Sequence, residues 1–229
     1  MKKHIPNAVT CCNLICGCIA TYFAFQGNFI AATTFIVIGA VFDFFDGMTA
    51  RLLKVDSPVG KELDSLADVI TFGFAPSAMV FTVLGNTITG DGLEKLIPFV
   101  AFVMAAFSAL RLAKFNLDER QTMGFIGLPT PANALIWTSL ILAVADKQIP
   151  YMPWICIALL LLTSWLLISE IPMFALKFKT FAWQGNQLRY CFILISAILL
   201  ILFRWTAFSI IIPLYIFASL VAAKTKTGL

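Results

Sequence analysis

Residues 43–68 read DFFDGMTARLLKVDSPVGKELDSLAD and hold six of the chain's twelve acidic residues. Long apolar runs flank this segment on both sides. The whole chain has 229 residues, of which 60% are hydrophobic and only 12% are charged, whereas about 25% of the residues in a soluble domain are charged. The composition therefore predicts an all-α polytopic membrane protein, in which a concentration of carboxylates requires a specific reason.

Eight apolar stretches have the length or composition of membrane-spanning helices, which need about 20 residues. The fifth and seventh are short, and we expect them to extend into their polar flanks. Only Arg204 and Trp205 separate the last two, where we expect a tight hairpin because one continuous helix would be longer than the bilayer is thick. We expect a single membrane domain, residues 1–229, with these spans: 8–25, 29–50, 63–84, 96–112, 131–145, 153–168, 190–203 and 206–223.

The distribution of basic residues supports this count. With eight spans both termini lie on one side, and that side receives 13 of the 16 lysine and arginine residues, all except Lys95, Lys147 and Arg204. Cytoplasmic loops of membrane proteins are enriched in Lys and Arg. We therefore expect a multi-pass protein of the cytoplasmic (inner) membrane, with both termini and segment 43–68 on the cytoplasmic side.

Four of the aspartates are spaced to meet. Asp43 and Asp46 are three residues apart, and Asp64 and Asp68 are four apart, so each pair lies on one face of a helix. The two helices are consecutive and antiparallel, which brings the pairs together. Four carboxylates would repel one another unless cations with a preference for oxygen ligands, such as Mg²⁺, Mn²⁺ or Ca²⁺, bind between them.

Two other interpretations of the aspartates remain open at this point. They could form a pathway for protons or cations, because ionisable groups in membrane helices are usually functional. They could also be incidental acids of a solvated loop, although three phenylalanines surround Asp43. His4 is the only histidine, which excludes a Ser-His-Asp triad. Nearby, Gly47 would let a ligand approach the backbone, and Arg51 offers a fork of donors for phosphate oxygens.

The segment fits the pattern D-x2-D-G-x2-A-R-x8-G-x3-D-x3-D at every fixed position and resembles the signature of the CDP-alcohol phosphatidyltransferase family. Further blocks are similar to those of the membrane-integral phosphatidylserine synthases within that family. These blocks, found between about residues 5 and 135, read IPNAVTCCNLICG, GKELDSLADVITFGFAP, RLAKFN and GLPTPAN.

The resemblance implies a role for each signature residue. Asp43 and Asp64 would bridge two metal ions, Mg²⁺ or Mn²⁺. Asp46 would bind one of these ions, and Asp68 would bind the other and act as general base. The CDP group would contact Asn7, Thr10, Gly47, Arg51 and Ser57.

The resemblance also implies a reaction: transfer of the phosphatidyl group from CDP-diacylglycerol to the hydroxyl of L-serine, giving phosphatidylserine and CMP. A sister enzyme that uses glycerol 3-phosphate or an inositol phosphate is the first alternative, and a cation transporter is an alternative of another class. The family is commonly homodimeric, and no nucleic-acid partner is expected. Candidate acceptor-binding residues, near the cytoplasmic ends of the fourth and fifth spans, are Arg111, Lys114, Asn116 and Thr130.

Overall fold

The computed structural model describes residues 4–55, 57–88, 90, 92–118, 125–145, 147, 149, 151–174, 183 and 186–225. The outermost residues of both termini, for which the charge distribution predicts a cytoplasmic location, lie outside these ranges. So do several of the basic and acidic residues used in the sequence argument, namely Lys2, Lys3, Asp56, Arg120, Lys177, Lys179 and Lys226.

Helices make up nearly all of the described chain, which confirms the all-α prediction. The α-helices are α1 (His4–Phe25), α2 (Phe29–Leu53), α3 (Pro58–Asp68), α4 (Ala75–Thr87), α5 (Phe102–Leu117), α6 (Thr130–Val144), α7 (Met152–Ile168), α8 (Gln187–Phe203) and α9 (Phe208–Thr225). A π-helical segment, Val69–Phe74, joins α3 to α4, and 3₁₀ segments Leu93–Ala101 and Arg204–Ala207 precede α5 and α9. A short antiparallel strand pair, β1 (Phe125–Ile126) and β2 (Pro172–Met173), was not predicted.

The helices are those of a polytopic membrane protein. In the described residues, five continuous helical runs are long and apolar enough to cross a bilayer: His4–Phe25, Phe29–Leu53, Pro58–Thr87, Leu93–Leu117 and Gln187–Ala222. Helices α6 and α7 have only 15 and 17 residues, so the expected extension of the fifth span into its flanks is not found. A helix occurs at each of the eight predicted positions, but length alone qualifies fewer than eight as full spans.

The last of these runs is not one straight helix, because the chain reverses at Arg204. The rings of Phe192 in α8 and Tyr215 in α9 lie 5.8 Å apart, whereas a straight helix would separate two residues 23 positions apart by about 35 Å. Arg204 ends α8 with a φ of 50°. The predicted hairpin between the last two helices is therefore confirmed.

Helices α1, α2 and α3 with the π segment form the part of the bundle that carries the signature. Asn28 caps α2 by accepting a hydrogen bond from the Ala31 amide, and Ser57 caps α3 in the same way by accepting from the Gly60 amide. The Ser57 cap and Pro58 at the first helical position start α3 five residues earlier than the predicted span. Side chains on α4, α6 and α7 extend the same apolar core, with Trp137 completely enclosed and donating to Thr163.

Candidate active site

Three carboxylates of the signature, one from α2 and two from α3, converge. One oxygen from each of Asp43, Asp64 and Asp68 lies within 4.8 Å of the others. Asp46 is on the same side of α2, one turn further along, and is buried, as is Asp68. The structure thus brings together three of the four aspartates that the sequence predicted to meet, with the fourth, Asp46, one turn away.

The chemistry of these residues fits a divalent metal ion. Within the described part of the chain, Asp46 Oδ2 and Asp64 Oδ1 are buried and have no hydrogen-bond partner. A buried carboxylate oxygen without a partner loses several kcal/mol of solvation, by order of magnitude. A cation bound between the carboxylates would supply the missing interaction, and oxygen ligands of this type suit Mg²⁺, Mn²⁺ or Ca²⁺.

Close packing of α1, α2 and the π segment places the aspartates. A Cβ atom added to Gly39 would lie 2.6 Å from Thr71 Cγ2, and one added to Gly17 would collide with the Thr71 hydroxyl. Thr71 Oγ1 donates to the backbone oxygen of Asn13 at 3.1 Å. The π turn begins directly after Asp68, and such turns are common at functional sites. Small residues in α1 and α2 thus allow the π segment that follows Asp68 to lie against both helices.

Asn13 is a site residue that the sequence interpretation missed. It is completely buried, and its Nδ2 donates to Asp68 Oδ1 at 3.2 Å. This contact fixes one oxygen of the proposed base and leaves the other available. A signal was present, because Asn7, Thr10 and Asn13 recur every three residues in an otherwise apolar helix, which puts polar groups on one face.

A cavity of about 280 Å³ adjoins the aspartates. Four of the five residues expected to contact CDP line it, namely Asn7, Thr10, Gly47 and Ser57. Gly47 has no atom within 4 Å of a Cβ placed on it, so its backbone is open to a ligand. The fifth residue, Arg51, is exposed in the last turn of α2 and is not among the described lining residues. The remaining described lining residues are Pro6, Asp46, Ala50, Val55, Gly60, Lys61 and Asp64.

Two of the candidate acceptor residues lie together. Arg111 is buried, and its guanidinium donates to Thr130 Oγ1 at 3.4 Å and lies over the Phe115 ring. Within the described residues Arg111 Nε has no partner, and the guanidinium is within electrostatic range of Asp68. A buried guanidinium with a free donor near the proposed base is suited to hold an anionic group.

The other two candidates have different surroundings. Lys114 lines, with Arg111, a small cavity of about 30 Å³ between α5 and the end of α7. Asn116 is instead engaged with α3, since its Nδ2 donates to Ser65 Oγ at 2.8 Å and its backbone oxygen accepts from Lys61 Nζ at 3.0 Å. Those two contacts leave Asn116 little freedom to reach an acceptor.

A second buried amide near Thr130 was also missed. Asn133 is one turn along α6 from Thr130 and is completely buried. Neither of its side-chain polar atoms has a partner among the described residues. It belongs to the GLPTPAN block, which was noted in the sequence without assigning a role to this residue.

Comparison with known proteins gives consistent results. A profile of the CDP-alcohol phosphatidyltransferase family matches residues 3–166. A Bacillus subtilis protein named CDP-diacylglycerol–serine O-phosphatidyltransferase is 40% identical over 129 residues, which are 56% of this chain and 70% of that protein.

Two further relatives carry the same name. The Helicobacter pylori (strain 26695) protein is 35% identical over 133 residues, which are 57% of this chain and 54% of that protein. The Mycobacterium leprae protein is 32% identical over 179 residues, which are 74% and 57% of the two chains. The chain thus spans little more than half the length of these two relatives.

Proposed function

The chain belongs to the CDP-alcohol phosphatidyltransferase family, and from this premise we propose that it transfers the phosphatidyl group of CDP-diacylglycerol to the hydroxyl of L-serine. The products are phosphatidylserine and CMP. The observation that carries the proposal is the convergence of Asp43, Asp64 and Asp68 beside a cavity lined by Asn7 and Ser57. The relatives named for this reaction in three bacterial genera support the choice of serine as acceptor.

The basic residues near the proposed base also favour serine over a phosphorylated alcohol. A carboxylate can be held by one guanidinium, whereas a phosphate group usually meets several basic groups. Arg111 is the buried basic side chain in the described part of this region, with Lys114 beside it. We therefore propose that the acceptor's carboxylate binds Arg111, and that Thr130 orients the guanidinium through its hydrogen bond.

In the proposed reaction Asp68 accepts the proton of the serine hydroxyl. The serine oxygen then forms a bond to the lipid-linked phosphorus, and the bond from that phosphorus to the oxygen of CMP breaks. Asn13 holds Asp68 Oδ1, so that Asp68 Oδ2 receives the proton. Two divalent ions, Mg²⁺ or Mn²⁺, held by Asp43, Asp46, Asp64 and Asp68 would stabilise the negative charge on the diphosphate oxygens and on the departing CMP.

We propose the following setting for the reaction. Residues 1–229 form one domain in the cytoplasmic (inner) membrane, with both termini and the aspartates at the cytoplasmic face and the acyl chains of the donor among the helices. The contribution of Ile212 of α9 to the same core as Ala20 of α1 supports the single domain. The protein acts as a homodimer.

The experiment that tests the function is an acceptor comparison. Purified protein is incubated in detergent with CDP-diacylglycerol, Mg²⁺ or Mn²⁺, and one alcohol at a time: L-serine, glycerol 3-phosphate or inositol phosphate. We expect CMP release that depends on serine and on the metal. Release with a phosphorylated alcohol alone would assign a sister reaction, and no release with any alcohol, together with cation flux in vesicles, would favour a transporter.

A further inference from the structure

The cavity beside the aspartates has a basic side chain that the family signature does not include. Lys61 follows Gly60 of the signature, and among the described lining residues it is the only basic one. Lys61 and Arg51, the basic residue that the signature does include, are both exposed, but of the two only Lys61 lines the cavity. Among the described lining residues, the positive charge of this cavity therefore comes from Lys61.

A diphosphate in this cavity needs a positive partner. Asp46 and Asp64 also line it, and like charges in close contact are unfavourable by Coulomb's law. Two divalent ions would contact the phosphate oxygens, but the four carboxylates around them carry an equal and opposite charge. The metal site as a whole therefore does not match the net charge of the diphosphate, and Lys61 is a side chain of the cavity with the required sign.

The position of Lys61 fits this role. It lies in the first turns of α3, three residues before Asp64, so the two side chains share a helix face. Its Nζ donates to the backbone oxygen of Asn116 at 3.0 Å, which is a neutral acceptor. An ammonium group has three donors, so two remain for phosphate oxygens when one is used by Asn116.

We propose that Lys61 binds the diphosphate of the nucleotide-lipid donor. This rests on the proposed function only in that the donor carries a diphosphate; it does not depend on which alcohol accepts. The ammonium group forms charge-assisted hydrogen bonds to the phosphate oxygens and lowers the Michaelis constant for the donor without contacting the acceptor.

The test uses the full chain in detergent micelles. Binding of CDP-dioleoylglycerol is measured by titration calorimetry with Mg²⁺ and no alcohol, for the wild type and for Lys61→Met and Lys61→Arg. Lys147→Met is the matched control, because Lys147 is exposed beyond the far end of α6. We expect Lys61→Met to weaken binding about 10- to 100-fold, Lys61→Arg to restore it to within about threefold of the wild type, and Lys147→Met to have no effect.

Thermal unfolding separates this role from a structural one. If Lys61 binds phosphate, Lys61→Met keeps the melting temperature of the ligand-free protein and loses much of the stabilisation that the donor gives. The proposal would be overturned if Lys61→Met bound the donor within twofold of the wild-type affinity. It would also be overturned if the ligand-free variant had a lowered melting temperature and this destabilisation accounted for the whole loss of donor affinity. The acceptor comparison tests the proposed function separately. If the protein binds the donor through Lys61 but releases no CMP with serine, the inference about Lys61 holds and the proposed function is wrong.

Discussion

Removing the Asn13 amide tests whether the position of Asp68 controls the chemical step. In Asn13→Ala, Asp68 loses its hydrogen bond from Asn13 Nδ2, which is 3.2 Å long and buried. A hydrogen bond to a charged group contributes about 1.5–3 kcal/mol, and about 1.4 kcal/mol corresponds to a factor of ten. We therefore expect turnover to fall about 10- to 100-fold.

The assay is CMP release at saturating L-serine over a range of CDP-diacylglycerol concentrations. Because Asn13 does not line the cavity described above, we expect the Michaelis constant for the donor to change less than about threefold while turnover falls. Thr33→Ala is the control, since Thr33 is another buried polar residue of the bundle whose hydroxyl has no partner in the described chain. It should leave turnover unchanged.

Two results would refute this reasoning. Turnover within twofold of the wild type in Asn13→Ala would show that the amide does not position the base. A fall of the same size in Thr33→Ala would show that loss of a buried polar group disturbs the bundle in general. The melting temperature of each variant distinguishes these outcomes from simple unfolding.

Four further predictions follow from the same structure. Asp43→Asn should lower activity by orders of magnitude and abolish the rise in melting temperature that Mg²⁺ gives the wild type, because Asp43 is one of three converging carboxylates; near wild-type turnover at saturating metal would exclude the metal site. Asp68→Asn should suppress turnover far more than donor binding, and equal losses would make it chiefly a metal ligand. In a cysteine-free background, Leu117→Cys should react with an impermeant thiol reagent from the cytoplasmic side and Lys147→Cys from the other, and the reverse labelling would overturn the topology. Gly39→Ala should destabilise the protein by about 1–3 kcal/mol because its Cβ would meet Thr71, whereas Gly85→Ala, with no atom within 4 Å, should not, and equal melting temperatures would contradict the packing argument.

The convergence of the aspartates could be predicted because residue spacing within a helix determines which side chains share a face. The spacings of Asp43 with Asp46 and of Asp64 with Asp68 determine one face of each helix, and a short connection makes the helices neighbours. Helix positions were predicted for the same reason, since apolar length is a local property. The hairpin at Arg204 followed from comparing helix length with bilayer thickness.

The features that the sequence did not reveal depend on contacts between distant residues. Asn13 meets Asp68 across 55 positions, and the β1–β2 pair joins residues almost 50 positions apart. The π turn after Asp68 has no composition signal of its own. The proposed role of Lys61 depends on which residues enclose the cavity, and the sequence does not show this. For the same reason, the place of Arg51 in the signature did not predict that Arg51 would be absent from the described lining of that cavity.

The reversal at Arg204 also bears on how the last two helices enter the membrane during synthesis. Helices α8 and α9 are apolar, and most of the outer surface of α8 is exposed hydrophobic side chain. If the two helices enter the bilayer as a pair, the segment that has to cross it is the turn between them, and the one charged residue of this turn is Arg204. Placing an arginine at the centre of a membrane helix costs about 2.5–3.5 kcal/mol on insertion scales, which the apolar residues of two helices outweigh. The apolar side chains of residues 187–225 therefore supply enough free energy for the two helices to insert together as a hairpin.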